Sequence, residues 1–182
     1  IHNPQTLAQL QARGVKIVES PEEVPADGTI VIRSHGVAKS VRDNIETLGL
    51  DYADATCPFV TKIHAIVSKA GSEGKTVLIA GDAKHPEVQG IQGHCRGTCY
   101  VFKNGRELLE LSQNILSEKD TPLCVVAQTT FSVAEWENCL EIIKRVYTNA
   151  TIFDTICNAT AKRQSESELL SQQCDAMIVI GG

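Results

Sequence analysis

Short apolar runs alternate along the chain with longer stretches in which apolar residues recur every three or four positions. The short runs predict β-strands at Thr29–Ile32, Thr76–Ala80, Cys99–Phe102, Leu123–Ala127 and residues 176–180. The longer stretches predict amphipathic helices that each turn one face toward a sheet, within residues 7–10, 41–48, 60–67, 108–115 and 140–146. This alternation predicts an α/β fold with parallel sheets flanked by helices.

Polar residues directly follow three of these predicted strands. The junctions read Arg33-Ser34-His35-Gly36, Gly81-Asp82-Ala83-Lys84-His85-Pro86-Glu87 and Gln128-Thr129-Thr130. Because ligands of parallel sheets bind beyond the carboxyl ends of the strands, we expect the junctions to open into one cleft. Imidazole and hydroxyl groups placed there can bind phosphate oxygens, and Glu87, beside His85, can shuttle a proton.

An internal repeat indicates how the chain is divided. Asp54-Ala55-Thr56-Cys57 and Asp154-Thr155-Ile156-Cys157 each precede a helical stretch, and a helix N-terminus favours the thiolate form of cysteine. The repeat predicts two equivalent thiols aimed at one point, in three α/β modules: part of a first (1–57), a complete second (58–154) and the start of a third (155–182). From the residues alone, two such thiols indicate either redox chemistry or a shared metal.

Composition narrows the class of protein. The 182 residues are 42% hydrophobic and 21% charged, as in a globular protein, and the net charge of −5 argues against a basic nucleic-acid-binding protein. No apolar run approaches the roughly 18 to 20 residues of a membrane helix, and no signal-peptide pattern opens the chain, which predicts a cytoplasmic protein without a membrane partner. Seven cysteines, an odd number, predict reduced thiols. The start at Ile1 and the stop just after an apolar run indicate a fragment.

Other candidate sites fit the sequence less well. His85, His94, Cys95 and Cys99 hold enough donors for a zinc hydrolase but lack the usual C-x₂-C element. A non-catalytic α/β module binding a phosphorylated metabolite through His2, His35 and Thr129 is a second alternative.

The glycines of 71–76 precede a strand instead of following one, which predicts a helix C-cap and turn and not a phosphate-binding loop. Three further cysteines adjoin apolar segments and are expected to pack as small hydrophobes: Cys124, Cys139 and Cys174.

Five motifs, in order and spread over nearly the whole chain, resemble those of one family. They are Arg33-Ser34-His35-Gly36-Val37, Asp54-Ala55-Thr56-Cys57-Pro58 with Val60-Thr61-Lys62, His85-Pro86-Glu87-Val88-x-Gly90, Gln128-Thr129-Thr130-x-Ser132, and Ile156-Cys157-x-Ala159-Thr160 with Arg163-Gln164. Together they resemble the LytB (IspH) family of 4-hydroxy-3-methylbut-2-enyl diphosphate reductases. Lys162 departs from the asparagine that this family commonly has before Arg-Gln.

The resemblance implies a fold and a cofactor. The fold would be a pseudo-threefold trefoil of small parallel sheets flanked by helices, of which this chain holds one complete module and parts of two others. A 4Fe–4S cluster would lie at the centre, with Cys57 and Cys157 as two of its three protein ligands. The third cysteine would precede Ile1, and the family's Ser-x-Asn segment would follow Gly182.

The resemblance also implies a reaction and the residues that perform it. His2 and His35 would bind the substrate diphosphate, while His85, Glu87 and Thr129 would surround its allylic hydroxyl, with Thr130 close by. The reaction would be reductive dehydroxylation of the allylic diphosphate by two electrons and two protons, giving isopentenyl and dimethylallyl diphosphates and water. Glu87, with His85 and Thr129, would serve proton transfer. The electron donor would be a ferredoxin or a flavodoxin.

Overall fold

A computed structural model describes residues 3–114 and 122–179 of the chain. In these residues the strands form two parallel sheets, one of two strands and one of four in the order β4-β3-β5-β6. The strands are β1 (Thr29–Ile32), β2 (Asp51–Asp54), β3 (Thr76–Ala80), β4 (Cys99–Phe102), β5 (Leu123–Ala127) and β6 (Ala150–Ile152). The predicted α/β fold with small parallel sheets flanked by helices is therefore confirmed.

Helices connect the strands and cover the sheets. They are α1 (Pro4–Ala12), a 3₁₀ turn (Pro21–Glu23), α2 (Lys39–Thr47), α3 (Pro58–Ser72), α4 (Pro86–His94), α5 (Gly105–Asn114), α6 (Val133–Val146) and α7 (Asn158–Ser171). Helix α3 ends at Ser72 and Gly74 follows in the left-handed conformation, which confirms the predicted C-cap and turn. Among the described helices, none has both the length and the apolar character needed to cross a bilayer.

The four-stranded sheet forms the centre of the larger core. Alternate residues of β3 and β5 point to opposite faces, and both faces are buried. Leu78 and Val125 pack on one face against α5 and α6, in a cluster that includes Trp136. The other face, which includes Val77 and Val126, packs against α3 and α4. This double burial holds the ends of β3 and β5 rigidly at the edge where the polar junctions begin.

The same turn occurs at three junctions between a strand and the helix that follows it. An aspartate side chain accepts the backbone N–H of the second residue after it, at 3.0, 3.0 and 3.4 Å, and the third residue caps the following helix. The aspartates are Asp54, Asp82 and Asp154, and the capping residues are Cys57, His85 and Cys157. The second of these turns was not recognised from the sequence, because a histidine stands there in place of the cysteine.

The two cysteine junctions match further in their backbone contacts. The Cys57 N–H donates to the Ser34 carbonyl at 2.9 Å, and the Cys157 N–H donates to the Thr129 carbonyl at the same distance. Each acceptor is the second residue beyond the neighbouring parallel strand, β1 in one sheet and β5 in the other. The repeat read from the sequence is therefore a repeat of structure.

Sequence-based expectations on local structure were wrong or incomplete at four points. Residues 176–179 do not form the predicted strand: no described segment pairs with them, and a strand needs a hydrogen-bonded neighbour. Strands β2 and β6 were missed because they are short and carry polar residues. Helix α4 was missed because its glycines interrupt the apolar periodicity. Cys174 is exposed, unlike the buried Cys124 and Cys139, because no described element covers it.

Two histidines stack where α3 and α4 meet the loop that follows β1. The rings of His64 and His94 lie 4.0 Å apart between centroids with an interplanar angle of 15°. Burial, and then the charges of His94 and Arg42, lowers the pKa of His64 from 6.5 to about 4. Burial also lowers the pKa of His94. The hydrogen bond to Val37 and the charge of Asp43 oppose this shift, while Arg42 and Lys39 add to it. Both rings are therefore neutral at neutral pH.

The lowered pKa of His64 predicts a loss of stability in acid. The unfolded chain binds this proton near pH 6.5 and the folded chain only near pH 4, so the unfolding free energy is full above pH 6.5 and declines as the pH falls toward 4. We expect the decline to be about 2 kcal/mol, after a discount for solvent screening. Chemical denaturation at pH 7, 6, 5 and 4 measures it. In His64→Phe, which keeps a flat ring but cannot bind a proton, the same decline would refute this assignment.

Candidate active site

Two histidines that follow strands of different sheets lie against each other beyond the carboxyl ends of those strands. His35 lies in the loop after β1, and His85 caps α4 after β3. Their half-buried rings lie edge to face, with centroids 5.3 Å apart and planes at 86°. The contact brings together the side chains of two of the predicted junctions, and a cleft shared by all three stays a prediction.

A buried carboxylate joins the second junction to the third. Glu87, in the first turn of α4, is 2% exposed. Its Oε1 accepts the backbone N–H of Thr129 at 2.7 Å, and its Oε2 accepts the Thr129 hydroxyl at 2.8 Å. Thr129 is itself 7% exposed. Two donors from one residue hold the carboxylate in a single orientation, and they offset the cost of burying it.

The cap of α4 fixes the proton position on the neutral His85 ring. The Nδ1 atom of His85 accepts the backbone N–H of Glu87 at 3.1 Å. An accepting Nδ1 carries no proton, so the proton of the neutral imidazole is on Nε2. His85 thus presents a donor from the same turn of chain that positions the Glu87 carboxylate.

The side chain of Gln128 links the junction after β5 to the junction after β3. The sequence analysis did not name it as a site residue. Its Oε1 accepts the Asp82 N–H at 3.3 Å, and its Nε2 donates to the Thr130 hydroxyl at 2.9 Å. The side chain is 6% exposed, although glutamine usually lies at the surface. The signal in the sequence was a long polar residue directly after a fully apolar strand. Thr130, expected close to the other site residues, is exposed and accepts a hydrogen bond from Gln128. The Glu87 carboxylate instead accepts its hydrogen bonds from Thr129.

The two cysteines of the repeat occupy equivalent positions beside these groups. Cys57 and Cys157 are half-buried N-caps of α3 and α7, and neither side chain accepts a capping hydrogen bond. Their backbone bonds attach Cys57 to the residue before His35 and Cys157 to Thr129. Two cysteine side chains without a capping hydrogen bond suit iron–sulfur ligation, because such clusters are held by cysteine sulfur. They do not make a complete set: among the described residues no group of three or more His, Cys, Asp or Glu is arranged to hold a metal ion.

The remaining cysteines differ in environment. Burial raises the pKa of Cys124 to about 11 and that of Cys139 to about 12, so both are protonated thiols packed in the core. Burial, and then the neighbouring Cys95, raises the pKa of Cys99 to about 11. The Cys95 thiol contacts the Gly97 carbonyl at 3.6 Å. Cys95, Cys99, His85 and His94 all lie in the described part of the chain, and among the described residues no group of three or more His, Cys, Asp or Glu is arranged to hold a metal ion.

His94 is also committed to the fold. Its Nε2 bonds the backbone carbonyl of Val37 at 3.1 Å, and its ring stacks on His64. The zinc hypothesis built on His85, His94, Cys95 and Cys99 therefore has no support in this arrangement. His2, expected to bind diphosphate, lies outside the described residues.

Comparison with protein families matches the whole chain. A family model described as LytB protein covers residues 1–182. The protein named 4-hydroxy-3-methylbut-2-enyl diphosphate reductase in Thermoanaerobacter sp. (strain X514) is 41% identical over 184 residues, which cover 100% of this chain and 62% of that protein. The protein of the same name in Geobacter sulfurreducens is 39% identical over 182 residues, which cover 100% of this chain and 62% of that protein. The chain thus spans about 62% of the length of these curated relatives.

Solved structures agree with the sequence comparison. One is a structure of (E)-4-hydroxy-3-methyl-but-2-enyl diphosphate reductase, described as the terminal enzyme of the non-mevalonate pathway. That protein is 33% identical to this chain, and the two structures superpose with a TM-score of 0.77. The match covers 100% of this chain and 63% of that one. The E-1-hydroxy-2-methyl-but-2-enyl-4-diphosphate reductase of Plasmodium falciparum has a TM-score of 0.89 over 100% of this chain and 57% of its own. At 24% identity the latter shows the fold alone. From the family match over its full length and this shared fold, the chain belongs to the LytB protein family.

Proposed function

We propose that the protein containing this chain reduces 4-hydroxy-3-methylbut-2-enyl diphosphate to isopentenyl and dimethylallyl diphosphates. Two electrons and two protons enter, the allylic C–O bond breaks, and water leaves. The observation that carries the proposal is the buried contact between Glu87 and Thr129, with the His35–His85 ring pair and two half-buried cysteines attached to the same junctions. This arrangement combines proton donors, anion-binding groups and soft metal ligands.

In this proposal the histidines and helix ends bind the charged half of the substrate. His35 and His85 donate hydrogen bonds to diphosphate oxygens or to the neighbouring hydroxyl, as does His2 from the first module. Helices α3, α4 and α7 all begin at this edge of the sheets, because each follows a parallel strand. Their positive N-terminal ends favour an anionic ligand.

Glu87 and Thr129 serve the other half of the substrate. Glu87 Oε2 accepts the Thr129 hydroxyl, with the two oxygens 2.8 Å apart. When Glu87 is protonated, the same contact lets the threonine oxygen accept that proton as the hydroxyl passes its own proton to the departing oxygen. Burial keeps bulk water away from this pair. Thr130 lies next to it in the chain and is held by Gln128.

Cys57 and Cys157 would hold a 4Fe–4S cluster together with a third cysteine from outside this chain. When bound, the cluster would supply electrons and Lewis acidity at an iron atom without a protein ligand. The electrons would come from a reduced ferredoxin or flavodoxin. The capping positions of both thiols support this role, since neither has a competing backbone hydrogen bond.

Metal analysis and turnover of the full-length protein, purified without oxygen, test the proposal. We expect iron and acid-labile sulfide together with reduction of the allylic diphosphate by a chemical reductant. Zinc without sulfide would favour a hydrolase. Binding of the diphosphate without iron would favour a non-catalytic module that holds a phosphorylated metabolite through His2, His35 and Thr129.

His35→Ala is expected to weaken binding of the diphosphate. A hydrogen bond to a charged group is worth about 1.5 to 3 kcal/mol, so the dissociation constant should rise about 10- to 150-fold. Calorimetric titration with inorganic diphosphate and with the substrate measures the change. Lys144→Ala, which removes an exposed cationic side chain from the last turn of α6, is the control. Unchanged affinity in His35→Ala would remove this histidine from the site.

A further inference from the structure

We propose that His64 and His94 act as positioning residues that hold the loop carrying His35 against α4, and so set the distance between His35 and His85. The inference rests on the proposed function only in that it takes His35 as a diphosphate ligand. Neither ring belongs to the site residues described above. One hydrogen bond, one ring stack and two close approaches of the backbone hold the loop in place.

The hydrogen bond ties the end of α4 to the loop. His94 is the last residue of α4, and its Nε2 lies 3.1 Å from the carbonyl oxygen of Val37, two residues after His35. Helix α4 begins at the opposite end with the cap residue His85. One rigid helix of nine residues therefore carries His85 at its start and fixes the His35 loop at its end.

The stacked rings also contact the loop on the side that faces α3. His64, from the middle of α3, is 7% exposed and lies flat against His94. Gly36, next to His35, has φ of +70°, and a Cβ there would be 2.8 Å from Cε1 of His64. The backbone of the loop thus lies directly on the His64 ring, in a conformation that glycine adopts without strain.

A second close approach shows that the loop and α4 touch without intervening side chains. A Cβ on Gly93 would be 2.3 Å from the Cβ of Ala38. Contact this tight leaves no room for the loop to move toward α4, while the His64 ring limits movement toward α3. The loop position is therefore set by the two rings and by these small residues.

The stack requires both rings to be neutral. Two imidazolium ions at 4.0 Å would repel one another, and Arg42 and Lys39 also face the pair, with Asp43 as the opposing charge. A neutral His94 whose Nε2 carries the proton donates to Val37, as the loop contact requires. The pair thus works as a fixed brace in the pH range where neither ring is charged.

Two substitutions at His94 test this role in the full-length holoprotein. His94→Leu fills the space but cannot bond the Val37 carbonyl, whereas His94→Gln retains a donor. We expect His94→Leu to raise KM for the allylic diphosphate about 3- to 10-fold with kcat and iron content nearly unchanged, and His94→Gln to restore KM to within about 2-fold. Hydrogen exchange of the peptide covering residues 33–38 should speed up in the leucine variant alone.

The outcomes separate the brace from the proposed reaction. Equal KM values and equal exchange in wild type, leucine and glutamine variants would overturn the positioning role and leave the reductase proposal intact. Equal losses in both variants would also overturn it, because they would show that the donor does not matter. If the wild type shows no turnover, the proposed function fails, and the exchange rates still decide whether His94 fixes the loop.

Gly36→Ala provides an independent test should the leucine variant not fold. The added Cβ pushes on the His64 ring from the loop side, so we expect the same rise in KM and in exchange of residues 33–38. Gly49→Ala, at a glycine with a similar φ of +68° and open space around it, matches the backbone strain without the ring contact. Equal effects of the two substitutions on KM would contradict the role of His64.

Discussion

Glu87→Gln is expected to lower turnover by about 10²- to 10⁴-fold, the usual contribution of a general acid. The substitution retains the size of the side chain and both contacts with Thr129: the amide oxygen accepts the backbone N–H, and the amide nitrogen donates to the hydroxyl oxygen. What is lost is the titratable proton. Single-turnover kinetics in the full-length protein measure the chemical step, with iron content determined on the same samples.

The design of this experiment separates proton transfer from structure. Glu110→Gln is the matched control, because Glu110 is exposed on α5 and pairs with Arg106, one turn earlier in the same helix. Substrate affinity and iron content should be unchanged in both variants. Unimpaired turnover in Glu87→Gln would remove Glu87 from the mechanism, and an equal loss in Glu110→Gln would indicate a general effect on the fold.

Cys57→Ser and Cys157→Ser are each expected to abolish the iron–sulfur cluster in the full-length protein. A neutral hydroxyl would replace a cysteine sulfur that bonds iron directly, and a serine oxygen is a poor ligand for such a cluster. Iron and sulfide assays, with the visible absorption of the anaerobic protein, measure the loss. Turnover should disappear with the cluster.

Two other cysteines provide the controls. Cys174→Ser changes an exposed thiol, and Cys124→Ser changes a buried thiol within the apolar sheet. Neither should reduce cluster content, although a hydroxyl in place of Cys124 costs stability because burial in an apolar site leaves it poorly satisfied. Equal loss of iron in all four variants would mean that the effect is unfolding and not ligation.

Three of the four strands of the larger sheet were predicted with their observed bounds, because the apolar runs that form them are local features of the sequence. Thr76–Ala80, Cys99–Phe102 and Leu123–Ala127 are short runs of mainly apolar residues, and the structure has strands with these bounds. Strand β2 carries two aspartates and forms only because it pairs with β1 in register. Residues 176–179 have the right composition for a strand but no partner among the described residues, which composition cannot reveal.

The site was only partly visible in the sequence. The polar junctions after β1, β3 and β5 and the two matching cysteines predicted where chemistry would lie, because parallel strands place their carboxyl ends at one edge. The bond between Glu87 and Thr129 spans 42 residues of chain. No local pattern specifies such a contact, since it depends on how β3 and β5 are aligned.

By itself the sequence determined the α/β class, three of the four strands of the buried sheet, and the junctions that carry His35, His85, Thr129 and the paired cysteines. These follow from periodicity and from the chemistry of residues close together in the chain. Only the tertiary structure decided that Glu87 is buried on Thr129, that Gln128 links two junctions, and that His94 braces a loop with His64. Those roles depend on burial and on distances between segments far apart in the sequence, and both are set by packing.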